Sequence, residues 1–246
     1  MNNVEPLKPN FTDASSVRRY LYRLRDVIEP LGFNRSNTFT MASLCRDELT
    51  QSLLIELADF WRLPFILGGL AGLPHYDIET WQTGLSHIPE SVERSKLLII
   101  GTAHVGMAPD GTIGHIKRRG QNQPTIACGA LGAVAQAITN PVDEQAPVDP
   151  KIPSSWPTEL AVLQETLGVH YAPTVPIDVG EMTFACAQVI NTTMHEMLDS
   201  LTIHETCDVV VATGVQIHLE DDADQMVPVA TTLRDEHGKQ TPLSIG

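Results

Sequence analysis

Thr38-Phe39-Thr40-Met41-Ala42-Ser43-Leu44-Cys45-Arg46-Asp47-Glu48 is the stretch on which the fold turns. Six of its first seven residues are β-branched, aromatic or apolar and suit a strand. Reactive and charged residues follow at once. From 49 to 61, Leu53, Leu54, Leu57, Ala58 and Trp61 recur at helical spacing, which predicts a helix with that face inward. A strand passing through a polar turn into a helix is the opening of a parallel α/β unit. Cys45 to Glu48 then lie at the strand's carboxyl end, where open α/β sheets place ligands.

The flanking sequence extends this pattern. Residues 96–102 (Lys-Leu-Leu-Ile-Ile-Gly-Thr) form the clearest buried strand, and His104 follows it. Residues 64–72 read as a buried strand running into a glycine-rich turn. Neither phosphate-loop pattern is present there, so the glycines imply close backbone packing rather than nucleotide binding. Upstream, Val17, Leu21, Leu24 and Ile28 predict a helix capped from Thr12-Asp13. Arg18, Arg19, Arg23 and Arg25 lie on its solvated side, with a dimer contact or an anion site as the other readings. The loop 106–124 carries Lys117-Arg118-Arg119, and Cys128-Gly129-Ala130-Leu131-Gly132-Ala133-Val134 opens a small-residue helix. Past a Pro- and acid-rich connection at 141–157 come helices near 158–167 and 182–201. A strand at 208–219 and an apolar run at 226–232 can pair through the acidic turn Glu220-Asp221-Asp222. The expectation is one α/β domain over residues 1–246, frayed at 1–12, with a mostly parallel central sheet flanked by helices.

Composition narrows the function classes. The 246 residues are 42% hydrophobic and 19% charged, enough to build a core. Thirty acidic residues against sixteen Lys and Arg give a net charge of −14, which argues against non-specific nucleic-acid binding. Cys45, Cys128, Cys186 and Cys207 are scattered and form no C-x-x-C. They fit a reducing compartment or thiolates committed to a metal better than a disulfide scaffold. No apolar run reaches the roughly 18–20 residues of a membrane span. The start, Met-Asn-Asn-Val-Glu-Pro, lacks the features of a secretory signal. A bacterial cytoplasm, or an algal chloroplast after transit-peptide removal, is the expected compartment.

Three ligands of the right softness share one address. Cys45, His104 and Cys128 each lie beside a strand or helix end. Two thiolates and one imidazole suit Zn²⁺ and leave its fourth position open for a water of lowered pKa. Spacing alone also fits two buried cysteines and a satisfied histidine.

The runs Ser43-Leu44-Cys45-Arg46-Asp47-Glu48, Gly101-Thr102-Ala103-His104-Val105-Gly106 and Ile126-Ala127-Cys128-Gly129-Ala130 together resemble the limiting-CO2-inducible protein B/C family. That family is similar to β-type carbonic anhydrases and is often grouped as θ-type. The resemblance implies a β-carbonic-anhydrase-like fold, usually a homodimer. It also implies Zn²⁺ on Cys45, His104 and Cys128, and interconversion of CO2 and bicarbonate by zinc-bound hydroxide. Asp47 matches the aspartate of the β-type Cys-x-Asp-x-Arg pattern. Leu49 stands where the arginine belongs, so another cation must pair with Asp47. Arg46, its neighbour in sequence, is the expected partner, with Arg62 and Arg118-Arg119 as remote candidates. Asp47 itself taking the fourth zinc position is the inactive alternative. Phe65, Leu67 and Leu70 are the expected apolar wall for CO2.

Cys186 and Cys207 read as core thiols. His115 is read as a surface imidazole, with proton shuttling as the other possibility, and His87 likewise. His75, His170, His195, His204, His218 and His237 show no ligand spacing and read as surface or helix residues. Asp221, Asp222 and Asp224 lack the calcium-loop pattern and read as a solvated turn. Two other functions remain open: a catalytically silent family member that binds bicarbonate or a partner and regulates inorganic-carbon handling, and a cysteine-nucleophile enzyme using Cys45 with a histidine base.

Overall fold

The computed structural model describes residues 11–89, 94–139, 158–169, 177–201, 203, 207–220 and 223–245. The strands are β1 (Ser15–Ser16), β2 (Thr38–Ser43), β3 (Phe65–Ile66), β4 (Ser95–Met107), β5 (His115–Ile116), β6 (Thr125–Ile126), β7 (Cys207–Leu219), β8 (Gln225–Arg234) and β9 (Gln240–Pro242). The helices are α1 (Val17–Ile28), α2 (Gln51–Phe60), α3 (Ile78–Leu85), α4 (Gly129–Thr139), α5 (Glu159–Gly168) and α6 (Val179–Ser200). Seven strands form the central sheet in the order β1-β8-β7-β4-β2-β3, with β9 on β8. β3, β2, β4 and β7 run parallel, and β8 returns antiparallel to β7. This is the mostly parallel, helix-flanked sheet expected from the sequence. The connection at 140–157 lies outside the described residues.

Period-2 alternation divides the core into two layers. On one face, Leu98 and Ile100 of β4 and Val210 and Ala212 of β7 pack with Leu21 and Leu24 of α1 and Leu53 and Leu57 of α2. On the other, Leu97, Ile99, Val209 and Val211 pack with Leu131, Leu163 and Ile190 of α4, α5 and α6. α1 begins where Ser16, not Thr12-Asp13, caps it: Ser16 Oγ accepts the Arg19 N–H at 3.3 Å. Its arginines stay on the outer side, where Arg18 pairs with Glu56 of α2 at 3.0 Å.

Two expectations about strands are revised. β3 is a two-residue strand at the end of the sheet, with Ile66 exposed, rather than a buried strand; among the described residues only β2 pairs with it. β4 is longer than predicted and contains His104 instead of preceding it. The β2–β4 pairing stops at Ser43↔Gly101 while β4 continues against β7, with His104 opposite Gln216. His104 therefore projects beyond the end of β2, toward the loop that follows it.

The glycine-rich turn closes that end of the sheet by backbone contact, as expected. A Cβ on Gly68 would fall 2.2 Å from Leu44 O, one residue before Cys45. On Gly72, at φ +84°, it would fall 2.1 Å from Thr102 O of β4. Gly72 O also accepts the Ser43 hydroxyl at 2.8 Å. Neither obstacle is a flexible side chain, so the strand ends must separate. Gly68→Ala is expected to cost more than about 2 kcal/mol, read as a lowered urea midpoint at an unchanged m-value. A wild-type midpoint would show that the turn is looser than described.

Candidate metal centre

Cys45 follows β2 in a turn held by local hydrogen bonds. Thr50 Oγ1 donates to the carbonyls of Cys45 (2.8 Å) and Asp47 (2.9 Å), and Asp47 Oδ1 accepts the Leu49 N–H at 3.1 Å. Cys128 immediately precedes α4, and its carbonyl accepts the Gly132 N–H at 3.0 Å. His104 reaches the same point from β4. Among the described residues these three form the group able to hold a metal ion, with candidate ligand atoms within 4.8 Å of one another. All three are buried.

The protein groups alone indicate whether a metal fits. His104 Nε2 is buried and has no hydrogen-bond partner, although its other ring nitrogen is bonded. A free imidazole lone pair beside two thiols is the donor set of a Cys2His site, and leaving it bare in the core is costly. The thiols are primed unequally. The Cys128 hydrogen bond pulls the Cys45 pKa down to about 4 against the opposing effect of burial, with help from His104 and the Asp47 backbone. The same bond, burial and the Cys45 charge push Cys128 well above the ordinary thiol range. One ready thiolate, one imidazole and a second thiol fit a bound divalent cation.

Asp47 lines the cleft beside Cys45, and its cation is Arg118, one of the remote candidates. Arg118 Nη2 lies 2.7 Å from Asp47 Oδ2. The same guanidinium donates to Glu48 Oε1 (2.9 Å), Thr125 Oγ1 (2.8 Å), Ile126 O (3.1 Å) and Ala127 O (2.7 Å). All five N–H groups are thus used, and the arginine ties the Cys45 turn to the chain entering Cys128. The choice of Arg46 as the partner is overturned: its guanidinium turns away to Glu159 of α5. Side chains adjacent in an extended segment point apart, which is why sequence proximity misled. Both Asp47 oxygens are engaged by Leu49 and Arg118, and Asp47 is not a member of the metal group.

A cleft opens beside Cys45, lined by Leu44, Asp47, Thr50, Leu54, Ile66 and Gly68 among others. None of Phe65, Leu67 and Leu70 lines it. Phe65 stacks edge-on with His87, Leu67 is fully buried, and Leu70 lines a separate cavity with His75, Tyr76 and Glu159. The alternation along β3 places Ile66 and Gly68, not their neighbours, on the cleft side. Cys186 and Cys207 are buried free thiols as expected, with pKa values pushed by burial to about 12. His115 is exposed on β5.

Two residues expected in solvated positions, His218 and Asp224, lie largely inside the protein. His218 of β7 is buried, and its Nε2 lies 3.1 Å from His104 Nδ1. Its Nδ1 lies 3.0 Å from Asp224 Oδ2, which also accepts from Gln216 Nε2 at 3.0 Å and from Ser52 Oγ. Asp224 is therefore no solvated turn residue; Asp221 and Asp222 lie outside the described residues. Burial lowers the His218 pKa. The sequence signal was available in Val215-Gln216-Ile217-His218-Leu219, where the polar residues share one parity of a buried strand.

The profile of the limiting CO2-inducible proteins B/C beta carbonic anhydrases matches residues 14–235. The structure of PtLCIB4, a homolog of the limiting CO2-inducible protein LCIB, superposes with a TM-score of 0.80. It is 25% identical, over 94% of this chain and 95% of that one. LCIB itself superposes over the full length of both chains with a TM-score of 0.74 and 22% identity, a likeness of fold. No curated protein matches the sequence. With the profile covering most of the chain and the fold shared from end to end, this protein belongs to the limiting CO2-inducible protein B/C family of β-carbonic-anhydrase-like proteins.

Proposed function

We propose that this chain is a zinc-dependent carbonic anhydrase that interconverts CO2 and bicarbonate, with Zn²⁺ held by Cys45, His104 and Cys128. The observation that carries the reading is the unpartnered Nε2 of buried His104, facing two cysteines beside a carboxylate that an arginine holds in place. When bound, the zinc would supply a water acidic enough to react near neutral pH. Asp47 accepts a hydrogen bond from the reacting water with its remaining lone pairs and so orients it. Arg118 pairs with Asp47 at 2.7 Å and fixes its carboxylate in place. Leu44, Leu54 and Ile66 offer an apolar wall for a neutral substrate, and the small Gly68 leaves room beside it. The net charge of −14 is no obstacle to CO2, which is uncharged.

The test is zinc content by mass spectrometry together with stopped-flow CO2 hydration, before and after chelation. The expected result is about one zinc per chain, as the one three-ligand group among the described residues allows, and hydration that chelator removes and zinc restores. Absence of zinc from protein refolded or expressed in its presence overturns the reading. Zinc without hydration favours the catalytically silent family member instead.

A further inference from the structure

We propose that His218 and Asp224 are positioning residues that set the tautomer of His104 and thereby hold its Nε2 lone pair on the metal site. The inference rests on the metal reading above and adds residues that the three ligands do not include.

Hydrogen-bond direction settles the argument. Asp224 Oδ2 receives Ser52 Oγ and Gln216 Nε2, and its carboxylate is kept ionised because these bonds and the His218 bond outweigh the opposing effect of burial. A carboxylate only accepts, so the His218 Nδ1 that lies 3.0 Å from it carries a hydrogen. In the neutral ring Nε2 is then an acceptor. The atom 3.1 Å from it, His104 Nδ1, must donate. His104 is left with a bare Nε2, which is the atom that finds no other partner in the core. Reversing any one bond in the chain would place a hydrogen on Nε2 and close it to a metal.

The relay is also mechanically anchored. His104 and His218 lie on adjacent parallel strands, β4 and β7, where Gly106 is directly opposite His218 and His104 opposite Gln216. The two rings meet edge to face, 5.2 Å between centroids. Ser52 of α2 bonds both Asp224 and Gln216, so helix, strand and the segment entering β8 converge on one carboxylate. An outer partner that orients a ligating histidine is commonly worth 10–100-fold in metal affinity. Here that partner is an imidazole backed by a carboxylate.

The test uses His218→Leu, His218→Gln and Asp224→Asn in the full chain. Two quantities are measured: zinc affinity by competition with a chromophoric chelator, and the His104 tautomer in zinc-free protein by long-range ¹H–¹⁵N correlation. Leucine cannot accept from His104 and is expected to weaken zinc binding by about 10–100-fold while the His104 spectrum shifts to mixed tautomers. Glutamine, whose side-chain oxygen can reach the position of Nε2, is expected to restore most of the affinity and the wild-type tautomer. Asp224→Asn, nearly isosteric, serves if the leucine variant does not fold, and is expected to show the tautomer change in milder form. A folded His218→Leu or Asp224→Asn protein with unchanged affinity and unchanged tautomer overturns the proposal, as does glutamine behaving like leucine. Wild-type protein that has the Nδ1-protonated tautomer but binds no zinc would overturn the metal reading and leave the relay intact. The two ideas therefore fail separately.

Discussion

Cys45→Ala should abolish zinc binding and CO2 hydration together, with zinc falling to background and hydration by on the order of 10³-fold or more. The reason is that Cys45 supplies the ready thiolate of the group, its pKa held at about 4 by the Cys128 hydrogen bond. Without it, one imidazole and one reluctant buried thiol face the metal. A bound zinc would lower the pKa of water by several units, and its loss would forfeit that, which accounts for the size of the expected rate loss. Cys207→Ala is the matched control. Cys207 begins β7 opposite Ser95, at the end of the sheet away from His104, and should keep full zinc content. Metal analysis and stopped-flow hydration on both variants check the prediction. A Cys45→Ala protein that is zinc-free and fully active would remove the metal from the mechanism and favour another role for the site.

Arg118→Ala is the second large effect expected. The side chain is mostly buried and donates to five acceptors on two segments, the Cys45 turn and residues 125–127 entering Cys128. Its removal leaves the Asp47 carboxylate without its cation and two carbonyls without a donor. Stripping one partner from a buried ion pair costs roughly 3 kcal/mol, so a lowered melting temperature is expected. Loss of a preorganised electrostatic element at a reacting centre lowers kcat/KM by about 10²–10³-fold. Arg118→Lys keeps the charge but not the planar fork, and should recover part of the stability and little of the rate. Thermal melts and hydration kinetics measured on the same preparations separate the two losses. An alanine variant with wild-type kcat/KM would show that Asp47 needs no cation.

How far the site was legible can be judged from particular residues. Cys45, His104 and Cys128 were selected from three short runs, and the structure brings their ligand atoms together. Two of the runs sit where a strand ends or a helix begins, boundaries with local signatures, whereas His104 lies inside β4 and was found through the family resemblance of its run. The Asp47 partner was not readable. Arg118 is far along the chain, and only the β5–β6 hairpin, His115 paired with Ile126, folds it back over the turn. The apolar wall failed for a simpler reason. The parity of a two-residue edge strand decides which of Phe65, Ile66, Leu67 and Gly68 meets the cleft, and an apolar run carries no parity of its own.

Local chemistry along the sequence therefore determined the α/β class and the order of strand and helix, while the three candidate ligands came from the family resemblance of three short runs. Helical spacing, strand composition and the placement of Cys45 after a strand are properties of neighbouring residues. The partners of those ligands were decided only in three dimensions. His218 meets His104 because β7 lies in parallel register beside β4, and Asp224 backs it because β8 returns along β7. Arg118 reaches Asp47 across a hairpin. Hydrogen bonds between such groups depend on register and direction over ångström distances, and no spacing in the sequence encodes them.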